Sequence, residues 1–145
     1  MKHYTKDNFM LASSVGYLIN KSRNLLIAEM DGALRDLDIT SQQMGIMLSL
    51  QHQIATTPFE LSKLLSIDTG LMTRLLDKLE SKGLLKRSRN LEDRRVTDLA
   101  LTSAGVAVAK QIPDIAPPVL NARLKRFSKA EFEEFCRLLR LFLDE

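Results

Sequence analysis

One stretch narrows the folds open to this 145-residue chain, the run from Thr57 to Thr102: TPFELSKLLSIDTGLMTRLLDKLESKGLLKRSRNLEDRRVTDLALT. Its spacing predicts two short helices joined by a tight turn, then two strands joined by a charged loop. In the second helix, at about 100° per residue, Leu71, Met72, Leu75, Leu76 and Leu79 fall on one half of the cylinder. Thr69, Gly70, Thr73, Arg74, Asp77, Lys78 and Ser81 fall on the other. Exposed helix faces are usually long and charged. This one opens with small residues, so its N-terminal end can lie close against another surface. In a helix-turn-helix that surface is the floor of the DNA major groove.

Local signals agree on the boundaries. Thr57-Pro58-Phe59-Glu60 is a capping box with Pro at the first helical position, where its missing N–H is no loss. Asp68 suits the N-cap of the second helix, because its carboxylate accepts orphan N–H groups there. Gly83 suits the left-handed position that ends it. Leu84 to Ser88 and Val96 to Leu101 read as strands, the latter placing Thr97, Leu99 and Leu101 on one face. The loop between them carries Arg89, Glu92, Asp93, Arg94 and Arg95. A helix-turn-helix followed by a charged hairpin is a winged helix.

Charge is concentrated in the same place. Residues 68–95 hold eight Lys/Arg against five Asp/Glu, which accounts for the whole net charge of +3. A local basic excess is what a nucleic-acid surface requires. Other functions find little support. The single cysteine, Cys136, excludes an intramolecular disulfide and a zinc finger, and His3 and His52 are too few for a histidine cluster. No nucleophile is paired with a base and no Gly-rich phosphate loop occurs, so neither an enzyme nor a cofactor or metal is expected. The chain has no apolar run long enough to span a membrane and no secretory leader at MKHYTKDNFM, so a cytoplasmic protein without membrane contact is expected.

The flanks read as helices. A long one is expected from Phe9 to Asp36, where Leu11, Val15, Leu18, Ser22 and Leu25 recur at spacings of three and four. At about 40 Å it exceeds what so small a core needs, which suggests a partner helix. Thr40-Ser41-Gln42-Gln43 is a second capping box opening a helix that ends near His52, and Thr102 caps another from Ser103 to Gln111. Pro113, Pro117 and Pro118 predict a break or kink. Ser128-Lys129-Ala130-Glu131 opens a last helix, apolar over most of its circumference through Phe132, Phe135, Leu138, Leu139, Leu141 and Phe142. Such a helix must be covered on several sides. The expectation is a mainly α (α+β) chain in which 1–38 and 103–145 form a helical dimerisation region around a winged helix-turn-helix at 39–102.

The run from Leu64 to Gly105 resembles the MarR-type transcriptional regulators. Residues 68–85, DTGLMTRLLDKLESKGLL, look like that family's recognition helix and following turn, and Glu92-Asp93-Arg94-Arg95 like its wing-tip signature. Leu101-Thr102 with Gly105 looks like the start of its next helix, and Ile39-Thr40 extends the match upstream. Two positions depart from the family pattern: Leu91 stands where Pro often precedes the Glu-Asp pair, and Thr69-Gly70 where Pro-Ser or Pro-Thr often follows the cap. The resemblance implies a homodimer that binds a palindromic duplex, with the recognition helix in the major groove and the wing in the adjacent minor groove. It further implies a repressor released by a small molecule bound between the dimerisation and DNA-binding regions.

Residue roles follow from that frame. Thr69, Gly70 and Thr73 are expected near base edges. Arg74 either contacts DNA or pairs with Asp77 on its own helix. Lys78, Lys82, Lys86, Arg87 and Arg89 are phosphate candidates, which position without specifying. At the wing tip, one of Arg94 and Arg95 braces the loop through Asp93 while the other enters a narrow minor groove, where negative potential favours arginine. By resemblance Asp93 and Arg95 are the more invariant pair. An exposed ion pair holds a hairpin weakly, so a mobile wing is expected off DNA. For an aromatic or apolar acid effector, Met10, Met30, Met44 and Met47 are candidate lining residues and Tyr17, Arg23 and His52 candidate polar anchors. Two alternatives stand beside the repressor reading: a winged helix whose basic surface meets an acidic protein partner, and a regulator sensing oxidants through Cys136. The last is disfavoured by position, since Cys136 lies mid-stripe on the most apolar helix, where thiols are usually buried and inert.

Overall fold

Side-chain caps set where the helices begin. In the computed structural model, which describes residues 1–145, the three capping boxes close at Thr40/Gln43, Thr57/Glu60 and Ser128/Glu131. They start α2 (Ser41–Gln51), α3 (Pro58–Leu65) and α7 (Lys129–Phe142). Asp68 accepts Leu71 N–H at 2.9 Å to start α4 (Thr69–Ser81), and Thr102 accepts Gly105 N–H at 3.0 Å to start α5 (Ser103–Ala109). Between α3 and α4 the chain turns on Ser66, left-handed at φ 51. After α4 it turns on Gly83, φ 70, into β1 (Leu85–Arg89) and β2 (Thr97–Leu101). The strands pair antiparallel with Arg87 opposite Leu99, and Leu99 N–H also donates to Thr56 O at 2.8 Å, tying the hairpin to the chain entering α3. This is a winged helix-turn-helix between N- and C-terminal helices.

The first helix is shorter than the sequence predicts. α1 runs Val15–Ala33, because Ser14 Oγ accepts Tyr17 N–H at 3.2 Å and fixes the start there. A single 3-10 turn at Arg35–Leu37 and a left-handed Asp38, φ 54, then break it from α2. The proline-rich segment is a second correction. The chain turns at Lys110–Gln111, ahead of the prolines, and α6 (Ile112–Leu124) is helical through Pro117 and Pro118. Each proline removes one N–H donor, but the carbonyls left open, on Pro113 and Asp114, belong to residues exposed to solvent. The opposite face, Ile112, Ile115, Ala116 and Val119, packs on the core and holds the helix in place.

The core is one cluster of 17 buried residues centred on Ile46, Met47, Leu61, Met72, Leu76 and Leu79. Met30 and Leu34 from the end of α1, and Ala109 and Ile112 from α5 and α6, belong to it. α1 and α6 are also joined by Arg123, whose Nε donates to Glu29 Oε2 at 2.8 Å. That guanidinium holds the Glu29 carboxyl below the usual range. α7 behaves differently: none of its residues is buried, and its apolar side chains stay exposed although they recur at helical spacing. No helix is long and apolar enough to cross a membrane.

Candidate nucleic-acid interface

α4 divides as its sequence requires. Met72, Leu75, Leu76 and Leu79 are buried, while Thr69, Gly70, Thr73, Arg74, Asp77 and Lys78 are exposed. Thr73 Oγ1 donates to Thr69 O at 2.9 Å, which leaves that hydroxyl's lone pairs facing outward. A Cβ at Gly70 would lie 3.3 Å from Asp68 Oδ1 and 3.8 Å from Arg74 Nη1. The Arg74 guanidinium therefore folds back over the glycine, toward the positive end of the helix, where a cation is unfavourable and an anion favoured. It makes no ion pair, and Asp77, the partner considered for it, is taken by Arg87. Lys78, Lys86, Arg89 and Arg94 are exposed and likewise carry no ion pair.

Two of the basic residues are committed within the chain. Arg87 reaches from β1 to α4, with Nη2 on Asp77 Oδ1 at 2.8 Å and Nη1 on Glu80 Oε1 at 2.9 Å. Lys82 Nζ lies 3.3 Å from Asp38 Oδ2 and also donates to Asp38 O, pinning the end of α4 to the turn before α2.

At the wing tip Arg95 is the bracing arginine. Its N–H and Nε donate to Asp93 Oδ1 at 3.0 and 3.1 Å, and Nη2 to Oδ2 at 3.3 Å. These bonds from Arg95 hold the Asp93 carboxyl below its usual range. Arg95 remains 91% exposed, so bracing does not hide its charge. Asn90, which sequence reasoning missed, organises the rest of the tip. Its Oδ1 accepts the N–H groups of Glu92 and Asp93, both at 2.9 Å, and its Nδ2 donates to Asp98 across the hairpin at 3.0 Å. An Asn two residues before a charged pair is an Asx-turn signal. The wing thus rests on a network rather than on the one ion pair expected.

A sequence profile of the MarR family matches residues 39–97. The multiple antibiotic resistance protein MarR of Escherichia coli K12 is 34% identical over 110 residues, 76% of this chain and 74% of that protein. The chain belongs to the MarR family. A crystal structure of an E. coli MarR point mutant complexed with operator DNA matches with TM-score 0.83 at 32% identity, covering 89% of this chain and 93% of that one. Bordetella bronchiseptica BpsR has the same fold, with TM-score 0.84 at 21% identity over 94% of this chain and 98% of its own. Like the other MarR-family members, this chain is a DNA-binding transcriptional regulator and not an enzyme.

A second feature of this MarR-family chain is a cavity of about 1110 Å³ between α1, the start of α2, the α3–α4 turn and α7. Twelve of its nineteen lining residues are hydrophobic, among them Leu18, Leu26, Leu71, Phe135, Leu138 and Phe142. Arg23 is its only cationic residue, Asp68 its only anionic one, and Ser41 Oγ in its wall has no hydrogen-bond partner. Of the seven residues predicted for an effector site only Arg23 lies here. Met47 is fully buried in the core, as Met30 is nearly so, and Met44 packs against the core, because at helical spacing they face inward. Met10 precedes α1 and is exposed, and Tyr17 lies off the lining face of α1 beneath Lys21. His52 is exposed where α2 ends. The residues that do line the cavity come from elements distant in sequence, and no local pattern announces them. Cys136 is half-buried on α7 rather than enclosed.

Proposed function

We propose that the protein is a homodimeric repressor that binds a palindromic operator and is released by a small apolar acid. The observation carrying this reading is the outward half of α4. Small residues, Gly70 among them, and an unpaired Arg74 stand at its N-terminal end, held by an apolar face buried in the core. Thr69, Gly70 and Thr73 approach base edges and Arg74 supplies the charged contact. Lys78, Lys86 and Arg89 meet phosphates, and Arg94 and the braced Arg95 enter the minor groove. The exposed apolar face of α7 supports pairing of the terminal helices with a second copy, with 1–38 and 103–145 as the dimerising region and 39–102 as the DNA reader. The protein acts on DNA in the cytoplasm.

The cavity supports the regulated part of the reading. Its size lies near the range of small-molecule sites, Arg23 is placed to take a carboxylate, and Ser41 Oγ offers an unused hydrogen bond. Binding of DNA by BpsR is regulated by 6-hydroxynicotinic acid, a small aromatic acid. Here Asp68 both caps α4 and lines the cavity, so an occupant that pulls on Asp68 acts directly on the helix that reads DNA. An effector shifts the equilibrium only by its differential affinity for the two states.

The test is a salt titration of binding to the duplex upstream of the protein's own gene against a shuffled duplex. Specific binding is expected on half-sites ~34–36 Å apart. The logarithm of affinity should fall with the logarithm of salt at about −0.9 per phosphate neutralised. Absence of salt-dependent binding to any duplex would instead favour an acidic protein partner.

A further inference from the structure

Asp77 is hard to reconcile with a surface that approaches phosphates. On the helical wheel it falls mid-way across the outward face of α4, one and two turns beyond Thr73 and Gly70, and Glu80 follows it by three residues. Two carboxylates on a DNA-reading helix repel the phosphate backbone over roughly a Debye length, ~8 Å at physiological salt. Both are occupied by one guanidinium. Arg87 sits on β1, opposite Leu99, with its side chain 26% exposed. It holds Asp77 at 2.8 Å and Glu80 at 2.9 Å through separate nitrogens. The hairpin has no other ion pair to α4, and the covalent link between them is only Lys82-Gly83-Leu84.

We infer that Arg87 is not a DNA contact but a positioning residue that masks Asp77 and Glu80 and fixes the hairpin against α4. The inference rests on the reading of α4 and the wing as the DNA interface. It replaces the phosphate role that the sequence alone assigned to Arg87. The guanidinium reduces the local charge from −2 to −1, and its planar fork satisfies two carboxylates on successive turns. An ammonium presents a point charge instead.

A four-cornered comparison decides it: wild type, Arg87→Gln, the pair Asp77→Asn with Glu80→Gln, and the triple variant. Each is measured as the full-length protein for affinity to the same duplex at fixed salt and for melting temperature without DNA. Masking predicts that Arg87→Gln weakens binding about tenfold or more in the wild-type background, within the range of coupled neighbours. Over the neutralised pair the same change costs less than about threefold, and the triple variant binds near the wild-type level. Equal losses in both backgrounds would mean that Arg87 grips DNA itself and would overturn the inference, as would wild-type affinity for Arg87→Gln. If Arg87→Gln alone melts early, the triple variant carries the test, since a charge-neutral surface that folds but fails to bind contradicts masking. Wild-type protein that binds no duplex in a salt-dependent way would sink the reading of the interface instead.

Discussion

Replacing Gly105 by alanine gives a sharp test of how the wing joins the helices. Glycine within a helix normally costs ~1 kcal/mol relative to alanine, so helix propensity alone predicts stabilisation. The structure predicts the reverse. A Cβ at Gly105 would stand 2.0 Å from Leu84 O and 3.0 Å from Leu84 C. Relief requires a backbone movement of about 1 Å at a buried residue. That same carbonyl accepts Thr102 N–H at 3.1 Å, and Thr102 Oγ1 donates to Gly83 O at 2.6 Å, so the junction of β1, β2 and α5 is strained together. Overpacking at ~1–3 kcal/mol plus a lost backbone hydrogen bond at ~0.5–1.5 kcal/mol gives a loss of about 2–4 kcal/mol. For a chain of this size that lowers the melting temperature by about 5–15 °C. The assay is calorimetry or circular dichroism at matched protein concentration, since melting of the proposed dimer depends on it. Gly32→Ala in α1, where nothing lies within 4 Å of the new Cβ, is the internal control and should hold or raise stability. A Gly105→Ala protein melting at or above wild type would refute the reasoning.

Three further outcomes are expected. Glu60 lies below its ordinary value of 4.5, chiefly through Thr56 N–H and also Thr57 N–H, so its stabilisation is complete above that pH and lost as pH falls through the lowered value. A Glu60→Gln variant should therefore be less stable near neutrality yet lose less between pH ~5 and ~3, read from urea midpoints across that range. Leu138→Glu on the exposed face of α7 should convert the proposed dimer to monomer in sedimentation at micromolar concentration, because it buries an unpaired charge in the apolar seam, and a dimer unchanged by it would remove α7 from the interface. Arg94→Ala should weaken duplex binding without altering the free wing, whereas Arg95→Ala should weaken binding and also release Asp93, visible as a rise of that carboxyl's pKa by NMR.

Much of the fold is local, and that part could be read from the sequence. The capping boxes at Thr40, Thr57 and Ser128, the Asp68 cap and the left-handed Gly83 each depend on side chains within four residues of the backbone they satisfy. The strands fall within one residue of expectation because alternation at Thr97, Leu99 and Leu101 marks a half-buried hairpin. The errors share a cause. Helical periodicity continues through Leu11 and Met10, but Ser14 caps from inside that pattern, and a stripe cannot reveal a cap within itself. Pro117 and Pro118 break a helix in isolation, whereas here the tertiary contacts of Ile115 and Val119 keep it. The commitment of Arg87 to Asp77 and Glu80, and the cavity around Arg23, join residues from separate elements. Composition shows which charges exist; it does not show which are already answered.

The single core has a consequence for modularity. Met30, Leu34, Ala109 and Ile112 are buried together with the residues that support α4, so residues 39–102 excised alone would expose the apolar surface these side chains cover and lose their floor. Transplanting DNA specificity between relatives by exchanging that whole segment would import mismatched packing on two sides. The economical graft is the outward face of α4 with its wing, Asp77, Glu80 and Arg87 moving as one unit, above a foundation left untouched.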